Sequence, residues 1–581
     1  MQISTRLNPV LIINMNRILY AKIIAFALLI SGFQLPLLAQ GPVVQNAIST
    51  ELNRSFKLLK EKGDPPPYFL SYRVTDTDSA AISASLGALQ SNTTNRSRIL
   101  DTDIRVGDYS FDNTRSVQGY GSGAVELPIE DDADAIRSVM WQRMDGLYNG
   151  AVEQLRQAKQ EKATSVGDEF NASDFSREEP EVSKSEPVSL EVDRDIWVKK
   201  IRKVSAIFKK YPLIYFSTVS LSADAINKYF VSTEGASVQH GTTQARIAIY
   251  AVAKAEDGME LFRFESFEAP SVDGLPSEAK IAAAAEKVAK DLMALRNAPT
   301  MDPFAGPAVL SGRASGVFFH EIFGHRIEGH RQKSEFEGNT FTAKVKQTVL
   351  PAIFSVSDDP TIKKFGNVDL SGHYVYDDEG VRAQRVPLVE NGVLNTFLMS
   401  RSPVEGVKSS NGHGRAQPGR SPVSRQGNLI IRAEETMSKA ALRESLIAEV
   451  KRQKKPFGLF FDDISGGFTN TSRFATQAFQ VTPVMVYKVF PDGRPDQLVR
   501  GLDLIGTPLT VFSKIIAADD SPEVFNGVCG AESGWVPVSA ISPGILVSQI
   551  EVQKRFKSKE TPPILPPPGV SVNDWKEANG Q

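Results

Sequence analysis

Apolar side chains at Val44, Ile48, Leu52 and Leu58 recur at near-helical spacing, so residues 43–62 are predicted as a helix that Pro65-Pro66-Pro67 stops. Residues 68–74, 80–86 and 98–106 alternate apolar and polar positions and read as strands. A long, heavily charged amphipathic helix follows over 131–162. It runs into 165–189, acidic, Ser-rich and poor in large apolar residues, which is expected to be a flexible excursion. Helical spacing returns over 195–210 and in the Ala-rich stretch 277–296, with strands between them around 213–221, 228–232 and 245–253.

Three prolines within 297–307 mark a domain boundary. Beyond it, 308–310 reads as a short strand leading into a helix over 314–330. Residues 349–553 are short alternating runs punctuated by Gly and Asp-Gly turns, with one helical insertion at 436–453. The pattern predicts an α+β protein: an N-terminal α/β domain over 40–300, a β-rich C-terminal domain over 301–560, and a Pro-rich tail over 561–581.

Composition adds two constraints. With 66 basic and 68 acidic side chains among 581 residues, the chain has no basic excess to recruit nucleic acid. The N-terminus departs from this ordinary soluble composition. Arg17 and Lys22 precede the apolar run 23–30, and small Ala39 precedes Gln40. That is the layout of a secretory signal peptide over 1–39, so the mature protein is expected to begin near Gln40, exported to the periplasm or medium. The run is too short to span a bilayer comfortably, so no stable membrane anchor is expected after cleavage. A single cysteine, Cys529, excludes any internal disulfide.

The chemistry concentrates in Phe318-Phe319-His320-Glu321-Ile322-Phe323-Gly324-His325-Arg326-Ile327-Glu328-Gly329-His330. His320 and His325 are ready nitrogen ligands for Zn²⁺, and Glu321 stands where a general base for water would stand in an HExxH metallopeptidase helix. Here the spacing is HExxxH. On a regular helix, i and i+5 lie about 140° apart, against about 40° for i and i+4, and two imidazoles so far apart do not converge on one ion. A π-type turn or a broken helix restores convergence, and Gly324 inside the interval favours either. A catalytic zinc usually takes three protein ligands. Glu328 and His330 are candidates for the third, or for partners of the ligands. Cys529, between Gly527 and Gly530 in a glycine-flanked turn, is another candidate, or else a small buried hydrophobe.

These residues, with Glu328-Gly329, Asp377-Asp378-Glu379-Gly380, Glu390-Asn391-Gly392, Asn411-Gly412-His413-Gly414-Arg415 and Gly527-Val528-Cys529-Gly530, make the chain resemble the TldD/PmbA metallopeptidases, in particular the catalytic, TldD-type member. The likeness covers most of 303–551, and more diffusely Ser232-Thr233-Glu234-Gly235. The resemblance implies one zinc ion per chain held by His320, His325 and Cys529, with Glu321 as general base. It also implies hydrolysis of small, unfolded or modified peptides by dimers, either of one chain or of two related subunits. His413, Arg415 and His330 are candidates to stabilise an oxyanion. Two readings compete: amide hydrolysis on a non-peptide substrate, and a non-catalytic partner subunit, which the intact ligand set disfavours. The chain departs from the family in carrying His330 where an Asp is usual, and in its secretion signal.

Overall fold

The computed structural model describes residues 41–115, 121–164, 172–333, 340–469, 471 and 479–555, with Pro566 and Pro568. The signal segment and nearly all of the Pro-rich tail lie outside the described residues. Helix α1 (Gly41–Lys62) leads to two long antiparallel strands, β1 (Pro67–Ser85) and β2 (Ala88–Val106). Helices α2 (Ala133–Thr164) and α3 (Arg194–Ser205), strands β3 (Ile214–Ser232), β4 (Ser237–Lys254) and β5 (Glu260–Ala269), and helix α4 (Glu278–Asn297) complete this half. The main strands run β2-β1-β3-β4-β5, every neighbour antiparallel, so this half is α+β rather than a parallel α/β layer.

The strands are longer than their apolar runs. The polar stretch Thr75–Ser79 looked like a break between two strands, yet β1 passes through it. Cross-strand charge carries it: Asp76 faces Arg98 in register, and Arg73 faces Asp101, with contacts of 2.6 and 2.9 Å. Leu70, Tyr72 and Val74 share one parity and pack with Val44, Ile48 and Met140 of α1 and α2. Ile82 and Ala84 have the same parity and pack with Trp197 of α3. Both helix pairs therefore lie on one sheet face, at opposite ends of the strands. No described helix is long and apolar enough to cross a membrane.

Residues 304–554 build the other sheets. Strands β6 (Phe304–Leu310), β10 (Gly458–Thr469), β11 (Phe479–Val489), β12 (Leu502–Gly506) and β15 (Ile545–Lys554) pair around a closed ring, because β10 meets β11 as well as β6. A second sheet runs β8 (Val386–Glu390), β7 (Phe354–Asp358), β9 (Asn428–Ala433), β14 (Gly534–Ser542), β13 (Glu523–Ala531). Between ring and sheet sits helix α5 (Gly312–Ile322), buried from Ala314 to His320. Its enclosed middle, Gly316-Val317-Phe318-Phe319, is wholly apolar. Phe318 meets Phe479 and Phe512 at 6.1 and 5.9 Å between ring centroids, and Phe319 stacks on Phe512 at 5.6 Å. Helix α6 (Lys439–Arg452) closes the ring from outside.

The two halves meet on the other face of β1. Asp378 binds Lys228 at 2.6 Å, Arg73 donates to the Asp378 carbonyl at 3.3 Å, and Glu234 pairs with Arg401 at 2.7 Å. The 165–189 stretch contributes here, against the expected flexible excursion. Residues 165–171 lie outside the described residues, but Asp174, Phe175 and Ser176 are buried, with Phe175 under the Arg401 guanidinium at 3.9 Å. One aromatic anchors a segment whose average composition suggested solvent. Asn391 and Gly392, both at positive φ, make the tight turn after β8.

Glu379 sits within this junction, accepting from the Arg401 backbone N–H at 2.7 Å. Burial pushes its carboxyl up to about 7 in spite of that bond. The folded value exceeds the unfolded one, so this group's contribution is intact below about pH 4 and is lost as pH rises through 7. Glu379→Gln cannot ionise. It is expected to match the parent in urea unfolding at pH 4 and to be the more stable of the two at pH 8; equal stability at both pH values would refute the sign.

Candidate metal centre

Helix α5 ends at Ile322, and the chain continues as two short 3₁₀ turns, Gly324–Ile327 and Gly329–Gln332. The helix expected over 314–330 is thus broken, and it tightens rather than widening into a π turn. The break places His325 beside His320 across five residues, ring centroids 5.2 Å apart at 73°. Gly324 permits it, because a Cβ there would lie 1.9 Å from the Gln426 side-chain oxygen. Gln426 in turn donates to the His320 carbonyl at 3.4 Å, meeting one of the acceptors that a helix end leaves open.

Cys529 arrives from β13, an edge strand paired in register with β14, rather than from a turn. Its Sγ lies 3.4 Å from His325 Nε2, and ligand atoms of His320, His325 and Cys529 all fall within 4.8 Å of one another. Zinc bonded at about 2.0–2.3 Å to nitrogen and sulfur holds such atoms about 3–4 Å apart. All three residues are buried, and His320 Nδ1 has no hydrogen-bond partner among the described residues. The donor set and its spacing fit a zinc ion.

Glu321, partly exposed, accepts from the Gly467 N–H at 3.1 Å, and its other oxygen lies 3.9 Å from His325 Nε2. Its carboxylate borders the cluster without belonging to it. Glu328 is fully buried and is no third donor to the cluster. It takes His325 Nδ1 at 3.3 Å and Arg331 Nε at 2.9 Å on one oxygen, and faces Arg425 Nε at 3.4 Å with the other. A carboxylate on Nδ1 orients the ring and leaves Nε2 toward Cys529.

The other candidates stand away from the cluster. His330 Nε2 contacts a Glu532 oxygen, and Arg331 binds the same carboxylate at 2.9 Å. His413 lies between Asn411 and Asp358, 3.2 Å from the Asp358 carboxylate. Arg415 donates to the Gln426 carbonyl at 2.5 Å and lies over Tyr374. None of the three joins His320, His325 and Cys529. Sequence reasoning missed Arg331, Arg425 and Gln426. Only Arg331, three residues past Glu328, had a local signal.

The cluster is electrostatically self-consistent. Burial opposes charge on every member, yet the two imidazoles hold the Cys529 thiol well below its ordinary value. Burial lowers His325 too, but Cys529 and Glu328 outweigh it and hold the imidazole well above its usual range. Burial raises the Glu328 carboxyl, while His325, Arg331 and Arg425 bring it down to about 2. Neighbours that favour the thiolate over the thiol also favour a cation bound beside it.

Residues 305–554 match the PmbA/TldA metallopeptidase C-terminal domain. Metalloprotease MJ0996 of Methanocaldococcus jannaschii is 28% identical over 231 residues, 40% of this chain and 47% of that protein. A zinc metalloprotease TldD homolog of Saccharolobus solfataricus is 25% identical over 257 residues, 43% of this chain and 52% of that protein. The matched part of the chain thus spans about half the length of these relatives. TldE from Thermococcus kodakarensis has the same fold, with a TM-score of 0.58 at 16% identity, covering 87% of this chain and 100% of that one.

The geometry assigns Gly324 a cost when it is filled. Gly324→Ala is expected to lose roughly 1–3 kcal/mol in urea unfolding, since Gln426 must leave the break. An unchanged midpoint would show that Gln426 moves aside freely.

Proposed function

We propose that this chain, a member of the TldD/PmbA family of metallopeptidases through residues 305–554, is a zinc-dependent peptidase acting on small or unfolded peptides. One observation carries the reading: three buried zinc-type donors within 4.8 Å of one another, bordered by a carboxylate. His320, His325 and Cys529 would hold one zinc ion. When bound, zinc supplies a Lewis acid for the scissile carbonyl and for the water that attacks it.

The remaining steps fall to the chain's own groups. Glu321 takes the proton from the attacking water and passes it to the leaving amine, so that one C–N bond breaks while a C–O and an N–H bond form. The Gly467 N–H fixes one Glu321 oxygen and leaves the other on the His325 side. Glu328 holds His325 in one tautomer. Family membership supports assembly as a homodimer or with a related subunit. The segment 1–39 supports export, with N-terminal sequencing of secreted protein expected to begin near Gln40.

Glu321→Gln keeps the shape but cannot accept a proton. Hydrolysis of a peptide mixture is expected to fall about 10²- to 10⁴-fold with zinc content unchanged; activity within a few-fold of the parent would remove Glu321 from this role. Cys529→Ser and Glu328→Gln separate ligand from support. The serine variant is expected to lose its metal on dialysis and the glutamine variant to keep it, as read by elemental analysis. A serine variant holding zinc at full stoichiometry and parental affinity would show that the thiol is not a ligand.

A further inference from the structure

The three zinc-type donors come from two distant pieces of chain. His320 and His325 flank the break after α5, whereas Cys529 follows His325 by 204 positions on an edge strand. The far end of that edge strand is tied to α5 directly, the Arg313 N–H donating to Glu523 at 3.0 Å; the Cys529 end is held differently. Arg425 occupies the gap. It is among the largest fully buried side chains of the molecule.

Its guanidinium joins the two pieces by hydrogen bonds to one and an ion pair to the other. On the hairpin side, Nη2 donates to the Cys529 carbonyl at 2.8 Å, and Nη1 to Ser533 Oγ at 2.9 Å and the Gly534 carbonyl at 3.0 Å. On the other side, Nε lies 3.4 Å from Glu328 Oε1, the carboxylate whose second oxygen takes His325 Nδ1. The guanidinium is anchored from behind as well. The Arg425 N–H donates to the His413 carbonyl at 2.9 Å, and Gly427 and Asn428 donate their N–H groups to Asp358, which also faces His413 Nε2. The segment around His413 thus supports Arg425.

We propose that Arg425 is a positioning residue that registers the Cys529 strand against the Glu328–His325 pair, and so sets metal affinity and thiolate coordination without touching substrate. The inference rests on the zinc-site reading above. A rigid planar fork is what the position requires, since donors must point two ways from one buried cation. Lysine carries the charge but not the fork.

The test titrates Co²⁺ into metal-free protein and follows the thiolate-to-cobalt charge-transfer band. The parent is expected to show that band; without it, Cys529 is no ligand and the zinc-site reading falls together with this inference. With the band in the parent, R425M is expected to bind Co²⁺ about 10- to 100-fold more weakly, with less charge-transfer intensity per bound ion. R425K is expected to recover part of both. Parental affinity and full intensity in R425M overturn the proposal, as does weaker binding at undiminished intensity per ion, which a general loss of stability also produces. Should R425M show no cooperative unfolding, R425K decides: values equal to the parent's overturn the proposal, and reduced intensity per bound ion upholds it.

Discussion

A carboxylate with no access to water stays ionised only if its surroundings replace the water, and Glu328 is such a group. His325, Arg331 and Arg425 do so, at 3.3, 2.9 and 3.4 Å. Each comes from a different place: the 3₁₀ turn after the helix, the next turn, and the segment leading into β9. Removing the carboxylate would leave two guanidinium groups and an imidazole facing one another in a buried space. The local fold follows from that requirement. The α5 break, the edge hairpin and the β9 segment must converge, and the convergence sets Cys529 beside His325.

The sheets around this point are arranged to keep it rigid. Phe318 and Phe319 of α5 pack against Phe479 of the closed ring, Phe354 of β7 and Phe512, which restricts drift of the helix's last turn. The capping of its first turn adds to this. Ser311 accepts from the Ala314 N–H at 3.1 Å and donates to the Asp462 carbonyl at 2.8 Å, tying the helix start to β10. β10 also carries Gly467, whose N–H fixes Glu321. Glu321 and its neighbour His320 are therefore referenced to one strand and one helix.

Much of this was legible in the sequence, and the failures have physical causes. The helix and strand periodicities located the elements before residue 300, because amphipathic faces leave a trace in local order. The continuity of β1 through Thr75–Ser79 did not show, since its cause is Arg98 on the neighbouring strand. His320, Glu321 and His325 announced themselves by type and spacing, and the inserted residue correctly implied a distortion. The kind of distortion did not follow, because it depends on Gln426 filling the space beside Gly324, 102 residues away. Cys529 stood out only by being alone. Arg425 gave no signal, since an isolated arginine in a polar run looks like surface until its partners are placed.

The motifs that carry the resemblance divide by what they touch. His320, Glu321, His325 and Cys529 meet at the cluster. Asp377-Asp378-Glu379 and Asn411-Gly412-His413-Gly414-Arg415 instead form a continuous path behind it. Asp378 joins the β1 and β3 cations to the Ala416 N–H, and Asp377 takes the Gly414 N–H at 2.9 Å. Arg415 then donates to the Gln426 carbonyl, and Gln426 reaches the His320 carbonyl. The N-terminal sheet is thereby linked to the end of α5 through hydrogen bonds that are almost all buried. Polar residues in such a path fix direction as well as distance, which an apolar contact of the same area cannot do. That explains why charged and amide side chains sit in the interior here. The donors at the centre must face one another within a few tenths of an ångström, and a purely hydrophobic filling would tolerate larger shifts than the chemistry allows.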